Sequence, residues 1–199
     1  MVLMAMLCGG SAALAWTAGH TGPDLPHVTA SASASGPVLV ARTPVRAGPR
    51  PVRIVIPTIA VSADVEPLHR SADGTLATPP HWNDAGWYAD GVVPGQRGPA
   101  VVVGHVDSAR DGPAVFYRLP QLRRGDQVLV ETSDGQDHSF VVDTTRKFAK
   151  TSFPTDLVYG PTPLAELRLI TCAGSFDRAT HNYSENLIVT AYAASAPAL

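Results

Sequence analysis

Glu166-Leu-Arg-Leu-Ile-Thr-Cys172 is a short apolar run around which the rest of the chain can be interpreted. Pro161 and Pro163 precede the run, and Ala173-Gly174 follows it. An apolar run of this length between turn-forming residues predicts a buried β-strand. Because the run closes on a cysteine, we expect the strand to end at Cys172 and to present the thiol to a groove lined by loops.

A second apolar run, Pro99-Ala-Val-Val-Val-Gly-His-Val-Asp107, also closes on polar residues. Its histidine, His105, follows Gly104, and a glycine permits close approach of the backbone at a strand end. Two strands that each end in one half of a Cys/His pair suit nucleophilic catalysis, because a neighbouring imidazolium favours the thiolate. We predict that Cys172 is the nucleophile and His105 its acid and base.

The choice of histidine has a competitor, since the chain contains seven histidines. His181 lies in the segment after Cys172 and is the rival of His105 on sequence grounds alone. His105 is preferred because it follows a predicted strand that ends in glycine. Asp107 lies two residues beyond His105, and on an extended chain both side chains face the same way. We therefore expect Asp107 to support His105 without reacting itself.

The rest of the domain reads as a series of short strands. Asp134-Gly135 between two β runs predicts a hairpin, and Gly125-Asp126 predicts another turn. Residues 82–87 have the character of a loop, and residues 114–123 are long enough for one or two helical turns. Many short strands without a long helical stripe predict an all-β barrel. The remaining strands are expected at residues 51–57, 59–65, 100–106, 127–133, 138–145 and 186–192.

The N-terminal region differs in composition from the domain. Residues 1–19 carry no charge, and a bilayer-spanning helix needs about 17–25 apolar residues. We expect an uncleaved membrane anchor that leaves the domain outside the cell, with a cleaved signal peptide and secretion as the alternative. Residues 20–50 are rich in Ala, Ser and Pro, which predicts a flexible spacer. The folded domain is expected over residues 51–195.

Composition and cysteine usage exclude several classes of function. The net charge of -2 and the scattered Lys and Arg residues argue against nucleic-acid binding. Cys8 lies within the predicted anchor, so we expect no disulfide with Cys172, which should remain a thiol. The domain has a single cysteine and no closely spaced Cys or His pair, which argues against zinc. It also lacks a twelve-residue calcium loop. We expect neither metal nor cofactor.

The residues around Cys172 and His105 resemble the sortases, the cysteine transpeptidases of Gram-positive bacteria. Leu169-Ile-Thr-Cys172 is similar to the family's motif with Thr directly before the nucleophile, and Gly104-His105 is similar to the strand that carries the family's histidine. Further motifs resemble the actinobacterial class F sortases: Ala85-Gly-Trp-Tyr88, Gly104-His-Val-Asp-Ser108, Val115-Phe-Tyr-Arg-Leu119, Gly125-Asp126, and Phe176-Asp177 with Tyr183 and Asn186. The resemblance covers roughly residues 51–193 and implies an eight-stranded β-barrel with short helices.

The resemblance also implies an arginine that stabilises the oxyanion, a role suited to a permanently charged guanidinium. Where many sortases carry this arginine, the chain has Glu185-Asn186 instead. We take Arg178, in the segment after the cysteine, as its replacement, with Arg53 as the second candidate and a merely solvated loop arginine as the alternative. Thr171 is expected to shape the substrate groove.

As the resemblance implies, the enzyme would cleave an LPXTG-like sorting signal of a surface protein between Thr and Gly. It would then transfer the acyl group to an amine of a cell-wall precursor or of another protein, acting as a monomer. Two alternatives stay open. A hydrolytic cysteine endopeptidase would use the same pair with water as the acceptor, whereas a surface-anchored β-barrel binding module would leave the thiol unreactive.

Overall fold

The computed structural model describes residues 48–72 and 74–194. The expected membrane anchor and all but the last three residues of the expected spacer lie outside the described residues. Within the part that is described, no helix has the length and apolar character needed to cross a membrane.

Ten strands make up half of the described chain. They are β1 Pro51–Ile56, β2 Val61–Leu68, β3 Ala85–Tyr88, β4 Gly98–Gly104, β5 Asp107–Ser108, β6 Gly112–Pro113, β7 Gln127–Thr132, β8 Asp137–Ala149, β9 Ala165–Asp177 and β10 Asn182–Ala193. The helical segments are short: α1 spans Thr155–Tyr159, and single 3₁₀ turns span Pro57–Ile59, Leu119–Gln121 and Lys150–Ser152.

Eight of the strands close into one barrel in the order β1-β2-β3-β4-β9-β10-β8-β7, and β7 returns to β1. The β2–β3 and β4–β9 pairs are parallel, and the other neighbours are antiparallel. The small β5–β6 ribbon lies outside this ring. The prediction of a closed, all-β, eight-stranded barrel is confirmed. The hairpin predicted at Asp134-Gly135 is also present, between β7 and β8.

The strands that carry the site are buried on both faces. Alternate residues of β9, such as Leu167 and Leu169, point into the barrel, while Ile170 belongs to a second apolar cluster together with Val158 of α1. Because successive side chains of a strand face opposite sides, this pattern places α1 over the outer face of β4 and β9. Burial on both sides explains why these strands read as continuous apolar runs.

A buried ion pair lies on the same outer face. Arg168 Nη2 is 2.5 Å from Glu166 Oε2, and both side chains are almost fully buried. Arg168 Nε also donates a hydrogen bond to the carbonyl of Leu157 in α1, at 2.9 Å. A buried charge is tolerated only when it is paired and hydrogen-bonded, so this contact fixes α1 against β9.

Several element boundaries differ from the predictions. β9 does not end at Cys172 but continues to Asp177, because Ala173, Phe176 and Asp177 still pair with β10 across an irregularity in the register. Residues 85–87, part of the stretch expected to form a loop, belong to β3, which is held between β2 and β4. Only one 3₁₀ turn forms within 114–123. Helix α1 was not anticipated.

Candidate active site

Cys172 and His105 come to the same level of the barrel because β4 and β9 are parallel neighbours. Val103 of β4 pairs with Ile170 of β9, and His105 and Cys172 each follow two residues later in sequence. Neighbouring strands lie about 4.8 Å apart. The pairing register therefore brings together the two halves of the predicted pair.

Both side chains line one cavity of about 660 Å³. Its walls come from the loop before β3, the end of β4 with the residues after it, and the β9–β10 hairpin. The residues that line it are Thr78, Pro79, Pro80, Trp82, Val103, Gly104, His105, Val106, Asp107, Ser108, Ala109, Cys172, Phe176, Arg178, His181 and Tyr183. A space of this size, with apolar walls and a few convergent polar groups, is typical of a ligand site.

His105 is held by the loop that precedes β3. Its Nε2 lies 2.9 Å from the carbonyl oxygen of Pro79, and its ring centroid lies 4.2 Å from that of Trp82. A Cβ at Gly104 would lie 2.5 Å from Phe116 Cδ2, so the strand end packs closely on Phe116. The structure therefore supports the reason given above for a glycine before His105.

Cys172 is 6% exposed, and no disulfide joins it to another described residue. Its Sγ lies 3.6 Å from Nζ of Lys150, at the start of the 3₁₀ turn that follows β8. Lys150 Nζ also donates a short hydrogen bond to the side-chain oxygen of Asn182, the first residue of β10. The sulfur therefore has an ammonium group as a neighbour.

Lys150 is the residue that sequence reasoning missed. It stands far from both catalytic motifs in the chain and in no recognisable pattern. Its approach to Cys172 depends on the barrel, because β10 lies between β8 and β9. Since β8 and β10 pair up to Ala149 and Glu185, the residue after Ala149 emerges near the thiol. Only this strand order could have pointed to it.

Two polar side chains near the thiol are buried. Asn186 pairs directly with Cys172 across the β9–β10 ladder, and its Oδ1 has no hydrogen-bond partner among the described residues. The same holds for Oγ1 of Thr171, which is 1% exposed. Strand alternation turns Thr171 away from the face that carries Cys172, and it is not among the described residues that line the cavity. The structure thus places Thr171 next to Cys172 in sequence but outside the cavity.

The β9–β10 hairpin carries Arg178 and His181 to the cavity, and both are exposed. His181 adopts a left-handed φ of 50° in the turn. Asp177 closes this turn by accepting hydrogen bonds from the backbone N–H of Ala179 at 2.8 Å and from the hydroxyl of Thr180 at 3.0 Å. The bond from the Ala179 N–H is the main reason that the pKa of Asp177 lies below its usual value.

Asp107 and Tyr183 connect two walls of the cavity. The Tyr183 hydroxyl donates a hydrogen bond of 2.5 Å to Oδ2 of Asp107. The Tyr183 ring also lies 5.0 Å from that of Phe176, between centroids. The contact ties the hairpin to the segment that follows His105, so Asp107 holds the cavity in shape as well as lining it.

Arg53 is placed away from the cavity. It lies on β1, and β1 is four strands from β9 in either direction around the ring. Its guanidinium contacts Ser62 at 2.6 Å and Asp64 at 3.9 Å on the neighbouring β2. Of the two arginines considered above, the structure brings Arg178 to the cavity and leaves Arg53 on the far side of the barrel.

One group of described residues has the side chains to hold a cation. Glu66, His81 and Asp84 each offer a ligand atom, and these atoms lie within 4.8 Å of one another. His81 is exposed, and the two carboxylates are half-buried. Glu66, His81 and Asp84 are not among the described residues that line the cavity.

The family model and the solved structures that match this chain point to the same family. A family model described as the sortase domain matches residues 54–194. No curated protein sequence matches the chain significantly. Eighty-nine chains of solved structures match it significantly.

Three of these structures illustrate the range of similarity. Sortase C-1 from Actinomyces oris is 25% identical with a TM-score of 0.55, and the match covers 72% of this chain and 71% of that one. A lid mutant of sortase A from Corynebacterium diphtheriae is 25% identical with a TM-score of 0.58, covering 77% and 75%. Sortase C1 of Streptococcus agalactiae, in complex with MTSET, is 17% identical with a TM-score of 0.58, covering 75% and 72%.

Proposed function

Since the chain belongs to the sortase family of cysteine transpeptidases, which anchor surface proteins, we propose that it cleaves an LPXTG-like sorting signal and transfers the acyl group to an amine of the cell wall or of another protein. The observation that carries this proposal is the meeting of Cys172 and His105 in one cavity, although they arise on separate strands. The catalytic roles below are part of the proposal.

In the first step, the Cys172 thiolate attacks the carbonyl carbon of the Thr residue in the signal. The tetrahedral intermediate places negative charge on the carbonyl oxygen, and Arg178 lies on the cavity wall where a guanidinium can stabilise it. The bond from Thr to Gly then breaks. The departing amine takes a proton from His105, and a thioester remains on Cys172.

The hydrogen bond to Pro79 determines which nitrogen of His105 carries the exchanged proton. A carbonyl oxygen only accepts hydrogen bonds, so Nε2 of His105 is protonated and donates to Pro79. The proton taken from the thiol and given to the leaving amine is therefore carried by Nδ1. The bond to Pro79 and the Trp82 ring hold the imidazole in one orientation during both transfers.

In the second step, an incoming amine attacks the thioester and gives up its proton to His105, and the Cys172 thiolate leaves. Water competes with the amine for the same intermediate. The apolar parts of the wall, including Trp82, Val106 and Phe176, favour the peptide over bulk water around the thioester. This partition separates a transpeptidase from the endopeptidase considered above.

The ordered motifs also support a finer assignment, to the class F sortases. Phe176-Asp177, Tyr183 and Asn186 fall together on the β9–β10 hairpin and the strand behind it. For the N-terminus we propose a membrane anchor, on the ground that residues 1–19 carry no charge. Cell fractionation tests this point: anchored protein stays with membranes after carbonate extraction, whereas a secreted product appears in the medium.

The experiment that tests the proposed function follows the fate of the acyl group. The full-length protein is incubated with an LPXTG-type peptide and increasing concentrations of oligoglycine or a diaminopimelate-type amine, and the products are resolved by mass. We expect a ligated product whose yield rises with the amine concentration, and neither ligation nor hydrolysis with Cys172→Ala. Hydrolysis alone with every amine would show an endopeptidase. No turnover and no peptide adduct at Cys172 would favour a binding module.

A further inference from the structure

Lys150 presents a positive charge directly to the reacting sulfur. Its Nζ lies 3.6 Å from Cys172 Sγ, and the short hydrogen bond to Asn182 fixes the ammonium in place. The side chain is part-buried, so water screens its charge less than it would at an open surface. An ammonium group held beside a thiol favours the thiolate over the neutral form.

Lys150 reaches the sulfur from a different direction than the cavity residues do. Among the described residues, Cys172 and His105 line the cavity, whereas Lys150 does not. Lys150 follows β8, on the other side of β10 from β9. Lys150 therefore contacts the sulfur from the end of a strand that is not among the described walls of the cavity.

Other charged and titratable groups also face the thiol and have to be separated from Lys150. Those on the cavity wall are His105, Asp107, Arg178, His181 and Tyr183. Asp107 and Tyr183 bond to each other, and Arg178 and His181 lie on the exposed turn. Lys150 is distinguished from these groups by its position: it approaches Sγ from the end of β8 and is anchored by Asn182 of β10.

We propose that Lys150 holds Cys172 in its thiolate form and so supplies a fourth functional residue beside the expected Cys, His and Arg. The inference rests on the proposed function only for its role in catalysis, because ionisation of the thiol can be measured without substrate. The proton that leaves the thiol passes to His105, and the Lys150 ammonium stays protonated throughout. Asn182 acts as a positioning residue, since it acts through Lys150.

The proposal explains how a site whose arginine lies on an exposed turn still activates its thiol. Because Lys150 stabilises the thiolate, Arg178 is available to stabilise the oxyanion of the substrate carbonyl. The anchor of Lys150, Asn182, lies at the start of β10, opposite Asp177 of β9. Activation of the thiol and stabilisation of the oxyanion are thus divided between two cations on two different elements.

The test is the pH dependence of Cys172 alkylation in the full-length protein, with iodoacetamide as the probe and the Cys172 peptide followed by mass spectrometry. Lys150→Met keeps the length of the side chain and removes its charge. We expect the pH midpoint of alkylation to rise by about one unit or more in Lys150→Met. At a pH below both midpoints, the variant should then be alkylated at least about tenfold more slowly than the unmodified protein. Lys150→Arg should restore a midpoint close to that of the unmodified protein, and Asn182→Ala should give a smaller upward shift.

Two matched variants serve as controls. Lys147→Met removes the same charge from an exposed position of β8 and should leave the midpoint unchanged. Arg178→Met tests the arginine that lines the cavity wall. An unchanged midpoint in Lys150→Met, or a shift in Arg178→Met alone, would overturn the proposal. If circular dichroism shows that Lys150→Met does not fold, Asn182→Ala decides, and no upward shift there overturns it. A shift in a protein that never ligates peptide would support the lysine's role and refute the transpeptidase.

Discussion

The two halves of β9 have opposite surroundings although they form one continuous strand. Residues 166–173 are buried and pair with β10 throughout and with β4 over most of their length, whereas residues 174–177 are exposed, and of these Phe176 and Asp177 pair with β10. Cys172 lies just before the boundary. Gly174 marks the transition with a φ of +82° and a shift in the register of the ladder.

The buried and exposed halves of β9 therefore contribute differently to the site. The buried half is fixed by packing on two faces, so it holds the thiol at a constant position. The exposed half and its turn bring Arg178 and His181 over the cavity without a second neighbouring strand. Residues that must be placed accurately for the chemistry should therefore depend on the buried half, and residues of the hairpin should affect the substrate more than the fold.

The largest expected effect distinguishes the two histidines. His105→Ala should lower the rate of peptide cleavage by about 10²–10⁴-fold, because general acid and base catalysis contributes this much. His181→Ala, on the exposed turn, should leave most of the activity. The measurement is kcat/KM for an LPXTG-type peptide. The reverse pattern would assign the proton transfer to His181 on the hairpin. It would contradict the claim that the chemistry depends on the buried half of β9.

The next effect tests how firmly the buried half is held. Glu166→Gln leaves Arg168 as an uncompensated buried charge and should lower the free energy of unfolding by about 3–5 kcal/mol. Asp64→Asn is the matched control, because Asp64 pairs with Arg53 at an exposed site and should cost at most about 1 kcal/mol. Urea unfolding measures both. Equal losses would mean that burial does not set the strength of these pairs.

Arg178 tests the contribution of the hairpin to chemistry. Arg178→Ala should slow acylation by about 10²–10³-fold, as removal of one oxyanion donor does, with little change in stability. Arg53→Ala, on the opposite side of the barrel, should acylate at the normal rate. Single-turnover formation of the acyl-enzyme measures the step. Normal acylation by Arg178→Ala would leave this arginine as a solvated surface residue.

Gly174 tests the junction between the halves. Gly174→Ala forces a side chain into a left-handed conformation, at about 1–2 kcal/mol, and its Cβ would also lie 2.4 Å from Ser184 Oγ. Gly135→Ala has a similar φ of +80° with open space around it, so it isolates the cost of the backbone alone. We expect the greater loss of stability at Gly174. Equal losses by urea unfolding would show that the junction accommodates a methyl group.

The smallest expected effect concerns the tip of the hairpin. The pKa of Asp177 is lowered in the folded protein, first by its bond from the Ala179 N–H. Its contribution to stability is therefore present above the pKa of the unfolded chain, about 3.9, and is lost as pH falls through the lower folded value. The stability difference between the unmodified protein and Asp177→Ala should shrink on acidification. A difference that stays constant would mean that the charge is not involved.

Local sequence patterns predicted those parts of the molecule that depend on burial. Runs such as Ala100-Val-Val-Val103 are apolar because both faces are covered, and they mark strands without knowledge of their neighbours. The parallel pairs could not be predicted from these patterns, because the partners are separated by long stretches of chain and selected by tertiary packing. β3 is a case in point: Ala85-Gly86 have weak strand propensity and are held in place by β2 and β4.

The residues of the candidate site likewise divide into those that local sequence patterns predict and those that only tertiary packing brings into place. Cys172 and His105 were found because each follows an apolar run and belongs to a recognisable motif. Lys150 was not found, because a lysine near the end of a strand is usually solvated, and only the order β8-β10-β9 brings it to the sulfur. Thr171 was assigned to the groove from its place next to Cys172, whereas strand alternation turns it away from the cavity.

The position of β10 between β8 and β9 has a consequence for biosynthesis. In a chain made from its N-terminus, Cys172 is synthesised before β10, and β9 then lacks the strand whose Asn186 pairs with Cys172. Asn182 and Tyr183, which contact Lys150 and Asp107, arrive with the same final strand. A nascent or truncated chain thus carries the nucleophile without its complete surroundings. Insertion of β10 between β8 and β9 completes the barrel and brings Asn182 and Tyr183 to the site in one event, so the site is incomplete until β10 has been made.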